Sequence, residues 1–226
     1  MITDVLKLLH YNYPYLKHYL NFSNPLELLV ATILSAQIRD DVVNKATVQL
    51  FAQYKTAKDY ADVSEIVPVI SSITYANTKA KHIIETCTIL VEKHGGKVPQ
   101  TMEQLTALPG IGRKSANVIL QNGFGIVEGV VVDTHVLRVC HRLGWTTSET
   151  NAVKTERELM AVIPRSEWKN IPGLMKRHGR AICKAPVPSC SASPSAAGSA
   201  RASARARRPA GRTTRRNSPT GETTAC

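Results

Sequence analysis

Apolar residues recur at the spacing of an α-helix along most of the chain. Asn24 and Pro25 supply an N-cap and a first helical residue for the apolar run LELLVATILSA, which is long enough to form a buried helix. A second helix is predicted over 42–54, because four apolar side chains fall on one of its faces: Val43, Ala46, Leu50 and Phe51. This part of the chain therefore predicts consecutive helices.

The helical pattern continues to about residue 178. A helix predicted over 77–94 ends at Gly95-Gly96, and Thr101 with Gln104 matches a capping box that opens a short helix. Four more helices are predicted over 115–122, 134–143, 148–163 and 167–178, with Gly123, Gly144 and Gly179 as the expected stops. Residues 125–132 form the one candidate strand, and one strand cannot make a sheet. The predicted fold class is all-α.

The composition changes abruptly after Cys190. Residues 191–226 contain seven arginines, one acidic residue and no Ile, Val, Leu, Met, Phe, Tyr or Trp. Such a segment cannot bury enough apolar area to offset the entropy of ordering, so we expect a disordered tail. We divide the rest of the chain into a helical domain over 21–128 and a second one formed by 1–20 together with 129–190.

The chain is strongly basic, with 29 Lys and Arg against 17 Asp and Glu and a net charge of +12. The tail carries +6 of this charge, so the body is only moderately basic. A positive excess favours polyanions as partners. No apolar stretch approaches the ~20 residues of a membrane span, and the first residues lack the pattern of a signal peptide. We therefore expect a cytoplasmic protein that does not enter the membrane.

The stretch LPGIGRKSANVIL, from Leu108 to Leu120, joins a glycine turn to the start of a helix. Gly110 and Gly112 permit backbone angles that other residues avoid, and they let another molecule approach the backbone closely. The first N–H groups of the helix that restarts at Arg113 lack internal partners, and the helix dipole adds to their attraction for an anion such as a DNA phosphate. An ordinary corner between two helices explains this local pattern equally well.

Several motifs occur in a definite order along residues 20–190. They are LSAQIRDDVVNKAT from Leu34, ITYANTKAKHIIETC from Ile73, the helix–LPGIG–helix element, VVVDTHVLRVCHRLGW from Val130 and HGRAIC from His178. Together they resemble the endonuclease III family of helix-hairpin-helix DNA glycosylases. The resemblance implies two helical domains that flank a DNA-binding groove. It also implies an enzyme that removes a damaged base and cuts the strand at the abasic site by β-elimination.

The resemblance assigns the two catalytic positions to Lys114 and Asp133. Lys114 stands where the family has the nucleophile that attacks C1′ of the damaged nucleotide, and the field of the helix N-terminus with partial desolvation favours its neutral amine. Asp133 stands where the family has its catalytic carboxylate, at the N-cap of the next helix. A phosphate-binding surface lysine and a simple cap are the plain alternatives.

The same resemblance implies a set of DNA contacts. Gln37 is the polar residue that fills the gap left by an extruded base, and Tyr75 or a neighbour contributes from another loop. His135 and Arg138 contact phosphate or support the carboxylate. The hairpin contacts come from Leu108, Gly110, Gly112 and Arg113. A helix-end glutamine, a half-buried tyrosine and a structural histidine are the competing interpretations.

The family commonly carries a 4Fe–4S cluster held by a C-x6-C-x2-C-x5-C pattern. Cys183 and Cys190 fit the first two positions, but the next two are Ser193 and Ser199. Two thiolates cannot hold such a cluster unaided, so we do not expect it in this polypeptide. A shifted reading frame explains the missing ligands and the altered tail together. The alternative is a lineage that lost its cluster and gained a basic DNA-binding arm.

Lys114 combined with Gln37 favours the bifunctional type of enzyme, which acts on oxidised or ring-damaged pyrimidines. We expect a monomer that binds double-stranded DNA containing damaged bases or abasic sites, at the nucleoid. A thymine-mismatch glycosylase and a noncatalytic helix-hairpin-helix DNA-binding protein are the alternative functions.

Overall fold

The computed structural model describes residues 2–14 and 18–189. These residues divide into two compact units, 18–129 and 2–14 with 130–189. We refer to the first as the hairpin unit and to the second as the terminal unit. The tail over 191–226, predicted to be disordered, lies outside the described residues. The described residues of both units contain no strand, which confirms the all-α prediction. None of the described helices is long and apolar enough to cross a membrane.

Ten α-helices occur in the described ranges. They are α1 (Ile2–Asn12), α2 (Pro25–Leu34), α3 (Asp40–Gln53), α4 (Ala57–Ala61), α5 (Ala76–His94), α6 (Met102–Thr106), α7 (Arg113–Ile119), α8 (Thr134–Arg142), α9 (Ala152–Val162) and α10 (Ile171–Ala181). Short 3₁₀ turns span Val67–Ile70 and Arg165–Glu167, and a π-helical turn over Leu120–Phe124 extends α7.

Helix α2 lies at the centre of the hairpin unit. All seven residues from Leu28 to Leu34 are buried, and α2 packs against α3, α5 and α7. The side chain of Asn24 accepts a 2.9 Å hydrogen bond from the backbone N–H of Glu27, and Pro25 occupies the first helical position. The predicted buried helix with its N-cap is therefore confirmed. A helix that is apolar on every side belongs in a core, and here α3, α5 and α7 cover it.

Helix α5 is the longest element of the hairpin unit, with 19 residues. It ends at Gly95, which adopts the left-handed conformation (φ 59°), and the N–H of Gly96 bonds to the carbonyl oxygen of Leu90 at 2.8 Å. This αL termination is the predicted one. The buried face of α5 carries Ala80, Ile83, Cys87 and Leu90.

The terminal unit packs α1, α8, α9 and α10 around a separate apolar core. Gly179 lies inside α10, so the prediction that it ends a helix is wrong. A Cβ atom at this position would lie 2.8 Å from His135 Nδ1 and 2.9 Å from Arg138 Nη2. Glycine therefore lets α8 approach α10 closely, and a packing partner rather than a helix end explains this residue.

Three further predicted helix boundaries need correction, and one is confirmed. Helix α9 begins at Ala152 rather than at 148, because Asn151 is its N-cap. The segment after α7 ends at Gly125 (φ 72°), because a π-helical turn carries the helix past the predicted stop at Gly123. Helix α10 begins at Ile171 rather than at 167, since a 3₁₀ turn occupies Arg165–Glu167. Gly144 follows the end of α8 with φ 72°, as predicted.

Candidate active site

The predicted hairpin joins α6 to α7 through a tight turn anchored in the core. Leu108 and Ile111 are buried, and the N–H of Ile111 bonds to the carbonyl oxygen of Leu108 at 3.1 Å. The hydroxyl of Thr86 in α5 donates to the carbonyl oxygen of Pro109 at 3.1 Å. Buried apolar side chains and one hydrogen bond from α5 therefore fix the turn, and both of its glycines are exposed.

The two glycines of the turn have different roles. Gly110 has φ +76°, and a Cβ atom there would lie 2.9 Å from Nδ1 of His82. Gly112 has φ −90° and ψ 175°, which any residue can adopt, and nothing lies within 4 Å of a Cβ at that position. The backbone angles that glycine permits are thus used at Gly110 and not at Gly112.

Lys114 and Arg113 lie in the first turn of α7, with exposed side chains. Gly112 is the N-cap: its carbonyl oxygen accepts from the N–H of Ala116 at 2.9 Å, and no side chain of the described residues caps this end. The positive end of the helix dipole therefore acts directly on an exposed lysine. An exposed amine and a helix N-terminus without a side-chain cap therefore occur together at the start of α7.

Asp133 is the N-cap of α8 and is half-buried. Its Oδ1 accepts two hydrogen bonds, from the backbone N–H of His135 at 2.8 Å and of Val136 at 2.9 Å. These bonds fix the direction of the carboxylate and use one oxygen only. The second oxygen, Oδ2, accepts no hydrogen bond within the described residues. Oδ1 therefore caps α8, and Oδ2 can accept a proton or a hydrogen bond from a bound molecule.

His135 and Arg138 project from α8 towards the end of α10. The Arg138 guanidinium donates to the carbonyl oxygens of Gly179 and Cys183, each at 3.2 Å, and lies 3.2 Å from Nδ1 of His135. Because a guanidinium only donates, Nδ1 accepts, and the imidazole proton is assigned to Nε2. Burial is the largest cause that lowers the pKa of His135, while Asp133 acts in the opposite direction. The neutral ring is thus part of a network that ties α8 to α10.

Gln37 and Tyr75 have left-handed backbones, with φ 56° and 59°. They are the only non-glycine residues with positive φ within residues 2–14 and 18–189. Both side chains are exposed, and Tyr75 retains 65% of its accessible surface. Such strained conformations cost free energy and cluster at functional sites. The two residues predicted to fill a gap in DNA are therefore also the two strained ones.

Lys79 was not singled out from the sequence, yet it is buried on the inner face of α5 with 5% exposure. Its Nζ donates to the carbonyl oxygens of Leu34 at 2.8 Å and Ala36 at 2.7 Å. Burial lowers the pKa of its ammonium group. A sequence signal was available, because Lys79 shares its helix face with the buried Ile83 and Cys87.

Cys183 is the one member of the predicted cysteine pair among the described residues; Cys190 lies outside them. The Cys183 thiol is buried and accepts from Nη1 of Arg142 at 3.5 Å. The described residues contain no group of three or more His, Cys, Asp or Glu that could hold a metal ion. With serine at the next two positions of the pattern, the residues do not fit a four-cysteine cluster.

The predicted site residues fall into three local groups. The hairpin group with Lys114 and the strained pair Gln37 and Tyr75 belong to the hairpin unit, whereas Asp133 and its neighbours in α8 belong to the terminal unit. The convergence of Lys114 and Asp133 on one substrate stays a prediction.

Three comparisons show which known proteins the chain resembles. The HhH-GPD family model, described as a superfamily of base excision DNA repair proteins, matches residues 30–165. Endonuclease III of Synechocystis is 46% identical over 190 residues, which are 83% of this chain and 86% of that protein.

Two solved structures have the same fold. A non-covalent endonuclease III–DNA complex superimposes with a TM-score of 0.81 at 37% identity, over 90% of this chain and 97% of that one. A trapped endonuclease III–DNA covalent intermediate gives 0.80 at 39% identity, over 85% and 91%.

Proposed function

The chain belongs to the HhH-GPD superfamily of base excision DNA repair proteins, and we propose that Lys114 and Asp133 perform its chemistry on DNA. The protein is a DNA glycosylase with abasic-site lyase activity of the endonuclease III type. The observation that carries the assignment of the nucleophile is the exposed amine of Lys114 in the first turn of α7, directly after the glycine turn.

Lys114 supplies the nucleophile in this proposal. Its unprotonated Nζ attacks C1′, the bond from C1′ to the base breaks, and the base leaves with the electron pair and takes up a proton. The amine gives up a proton, the C1′–O4′ bond breaks and O4′ takes up a proton, so that the sugar ring opens to a protonated imine between C1′ and Nζ. Loss of a C2′ proton then breaks the C3′–O3′ bond, so that the phosphate leaves on the 3′ fragment.

Asp133 stabilises the positive charge that develops on the sugar as the base departs, and it assists the proton transfers. The cap geometry supports this role, because Oδ1 is held by two backbone N–H groups and Oδ2 accepts none within the described residues. We propose that Lys114 and Asp133 act on the same deoxyribose. His135 and Arg138 support the carboxylate by holding α8 against α10.

Gln37 and Tyr75 fill the gap left in the duplex when the damaged nucleotide is extruded. Two exposed side chains on strained backbones support this proposal. Around the hairpin, Gly110, Gly112, Arg113 and the main chain of Leu108 approach the DNA backbone, where a helix N-terminus without a side-chain cap attracts phosphate. The protein binds DNA. We propose that its substrate is double-stranded DNA with damaged pyrimidines or abasic sites, and that it binds this DNA at the nucleoid as a monomer.

Borohydride trapping tests the nucleophile directly, since it reduces the imine to a stable amine. Wild-type protein incubated with abasic-site DNA is expected to give a covalent adduct, and Lys114→Ala none. Lys97→Ala removes another exposed lysine of the same unit and should trap normally. An adduct that persists in Lys114→Ala would refute the assignment, and binding without any wild-type adduct would favour the noncatalytic alternative. Release of ring-saturated thymine opposite adenine, compared with thymine opposite guanine, then tests the preference for damaged pyrimidines.

A further inference from the structure

Lys79 occupies an unusual position for a lysine in the first turn of a helix. Its side chain is buried, although an ammonium group is costly to remove from water unless hydrogen bonds compensate. The compensation comes from two backbone carbonyl oxygens, those of Leu34 and Ala36, at 2.8 and 2.7 Å. Leu34 is the last residue of α2, where carbonyls lack helical partners and the helix dipole is negative. A cation suits this place electrostatically.

The same lysine also contacts the other loop. The backbone N–H of Lys79 bonds to the carbonyl oxygen of Tyr75 at 3.0 Å. Ala36 immediately precedes Gln37. Lys79 thus binds the carbonyl next to Gln37 through its side chain and the carbonyl of Tyr75 through its main chain. Gln37 and Tyr75 are 38 positions apart in the sequence, and both have φ near +60°. Lys79 therefore links the backbones beside the two strained residues.

We propose that Lys79 is a positioning residue, which holds the Gln37 loop and the Tyr75 loop in the relative arrangement needed to fill the gap in the duplex. This inference rests on the proposed function of Gln37 and Tyr75. Strained backbone angles persist only where surrounding contacts over-determine them, and Lys79 supplies such contacts on both sides. Lys79 has no role in bond breaking: it acts through the two loops.

The proposed role of Lys79 predicts different effects on duplex and single-stranded DNA. An abasic site in single-stranded DNA leaves no gap in a base-pair stack, so the reaction of Lys114 there does not need the two loops. In a duplex, the misplacement of the loops is expected to slow the reaction by roughly 10- to 100-fold, the usual scale for small positional errors at a site. Loss of the Lys79 ammonium should therefore lower duplex activity and spare single-strand activity.

The experiment compares trapping rates of wild-type protein and Lys79→Met on the same abasic oligonucleotide, single-stranded and in duplex. The expected result is a 10- to 100-fold loss on the duplex with a single-strand rate within about twofold of wild type. Lys79→Arg, which keeps a charged donor, should recover much of the duplex rate. Equal losses on both DNAs would overturn the proposal, because they would mean that Lys79 only maintains the fold.

A double-mutant cycle gives a second, independent test. In a background of Gln37→Ala and Tyr75→Ala, Lys79→Met should have no further effect on the duplex rate, since the side chains through which it acts are gone. A full additional loss would overturn the proposal. If Lys79→Met is insoluble, the shorter donor Lys79→Gln replaces it, with the same selective duplex loss expected. Absence of any wild-type adduct would instead overturn the proposed function itself.

Discussion

Asp133 is proposed to be both a helix cap and a catalytic group, and two substitutions can separate these roles. Asp133→Asn keeps an oxygen that can accept from the N–H groups of His135 and Val136, now at 2.8 and 2.9 Å. Asp133→Ala removes the cap. Loss of a cap typically costs ~1 kcal/mol and up to ~2 kcal/mol, and loss of the charge at the dipole adds ~0.5 kcal/mol. We expect the alanine variant to lose ~2 kcal/mol and the asparagine variant ~0.5 kcal/mol of unfolding free energy.

Urea-induced unfolding at neutral pH measures these differences, and cleavage of abasic-site duplex DNA measures the chemistry. Both variants should lose strand cleavage, although only one loses the cap. Asn151→Ala is the matched control: Asn151 caps α9 by accepting from the N–H of Lys154 at 3.0 Å, so its loss should destabilise the terminal unit without affecting cleavage. Full cleavage by Asp133→Asn would leave Asp133 as a cap alone. Equal stability of the two Asp133 variants would refute the capping argument.

Three further predictions concern stability. The free energy of unfolding of Gln37→Gly should exceed that of Gln37→Ala by about 1 kcal/mol, because only glycine adopts φ 56° without strain. The glycine variant should therefore have the higher urea midpoint, and equal midpoints would contradict the strain. Burial lowers the pKa of His178 below 6.5, so the unfolded state binds the extra proton and wild-type stability should fall as the pH drops through 6.5. His178→Gln should flatten this urea-midpoint profile, and an unchanged slope would contradict it. Arg142→Met should speed limited proteolysis near Lys184, because Arg142 donates to the carbonyls of Lys184 and Pro186 at 2.9 and 3.0 Å.

The helices could be predicted because their signals are local. The N-cap and proline before α2, the apolar face of α5 and its glycine end are all properties of neighbouring residues. The glycine rule failed at Gly179, where the cause is a residue distant in sequence: α8 needs room against α10. A periodic pattern does not indicate which helix will lie against a glycine.

The sequence could indicate candidate site residues, but it could not indicate the contacts that these residues make. The cap role of Asp133 follows from its place before α8. Lys79 was missed because a lysine in the first turn of a helix normally points to solvent, and its carbonyl partners lie at the end of α2 and just after it. Whether Lys114 and Asp133 meet depends on the arrangement of two units, which no local pattern encodes, and the trapping and cleavage experiments address it.

The contrast between Gly110 and Gly112 makes the hairpin turn informative in a saturation mutagenesis screen. Any side chain at position 110 is disfavoured by the fold itself, because its Cβ would contact His82 and its backbone would have to adopt a positive φ. Position 112 has no such constraint, so alanine there should leave expression and melting temperature intact. A Gly112→Ala clone that folds normally yet fails to protect cells from genotoxic stress would identify the surface that a nucleic acid touches.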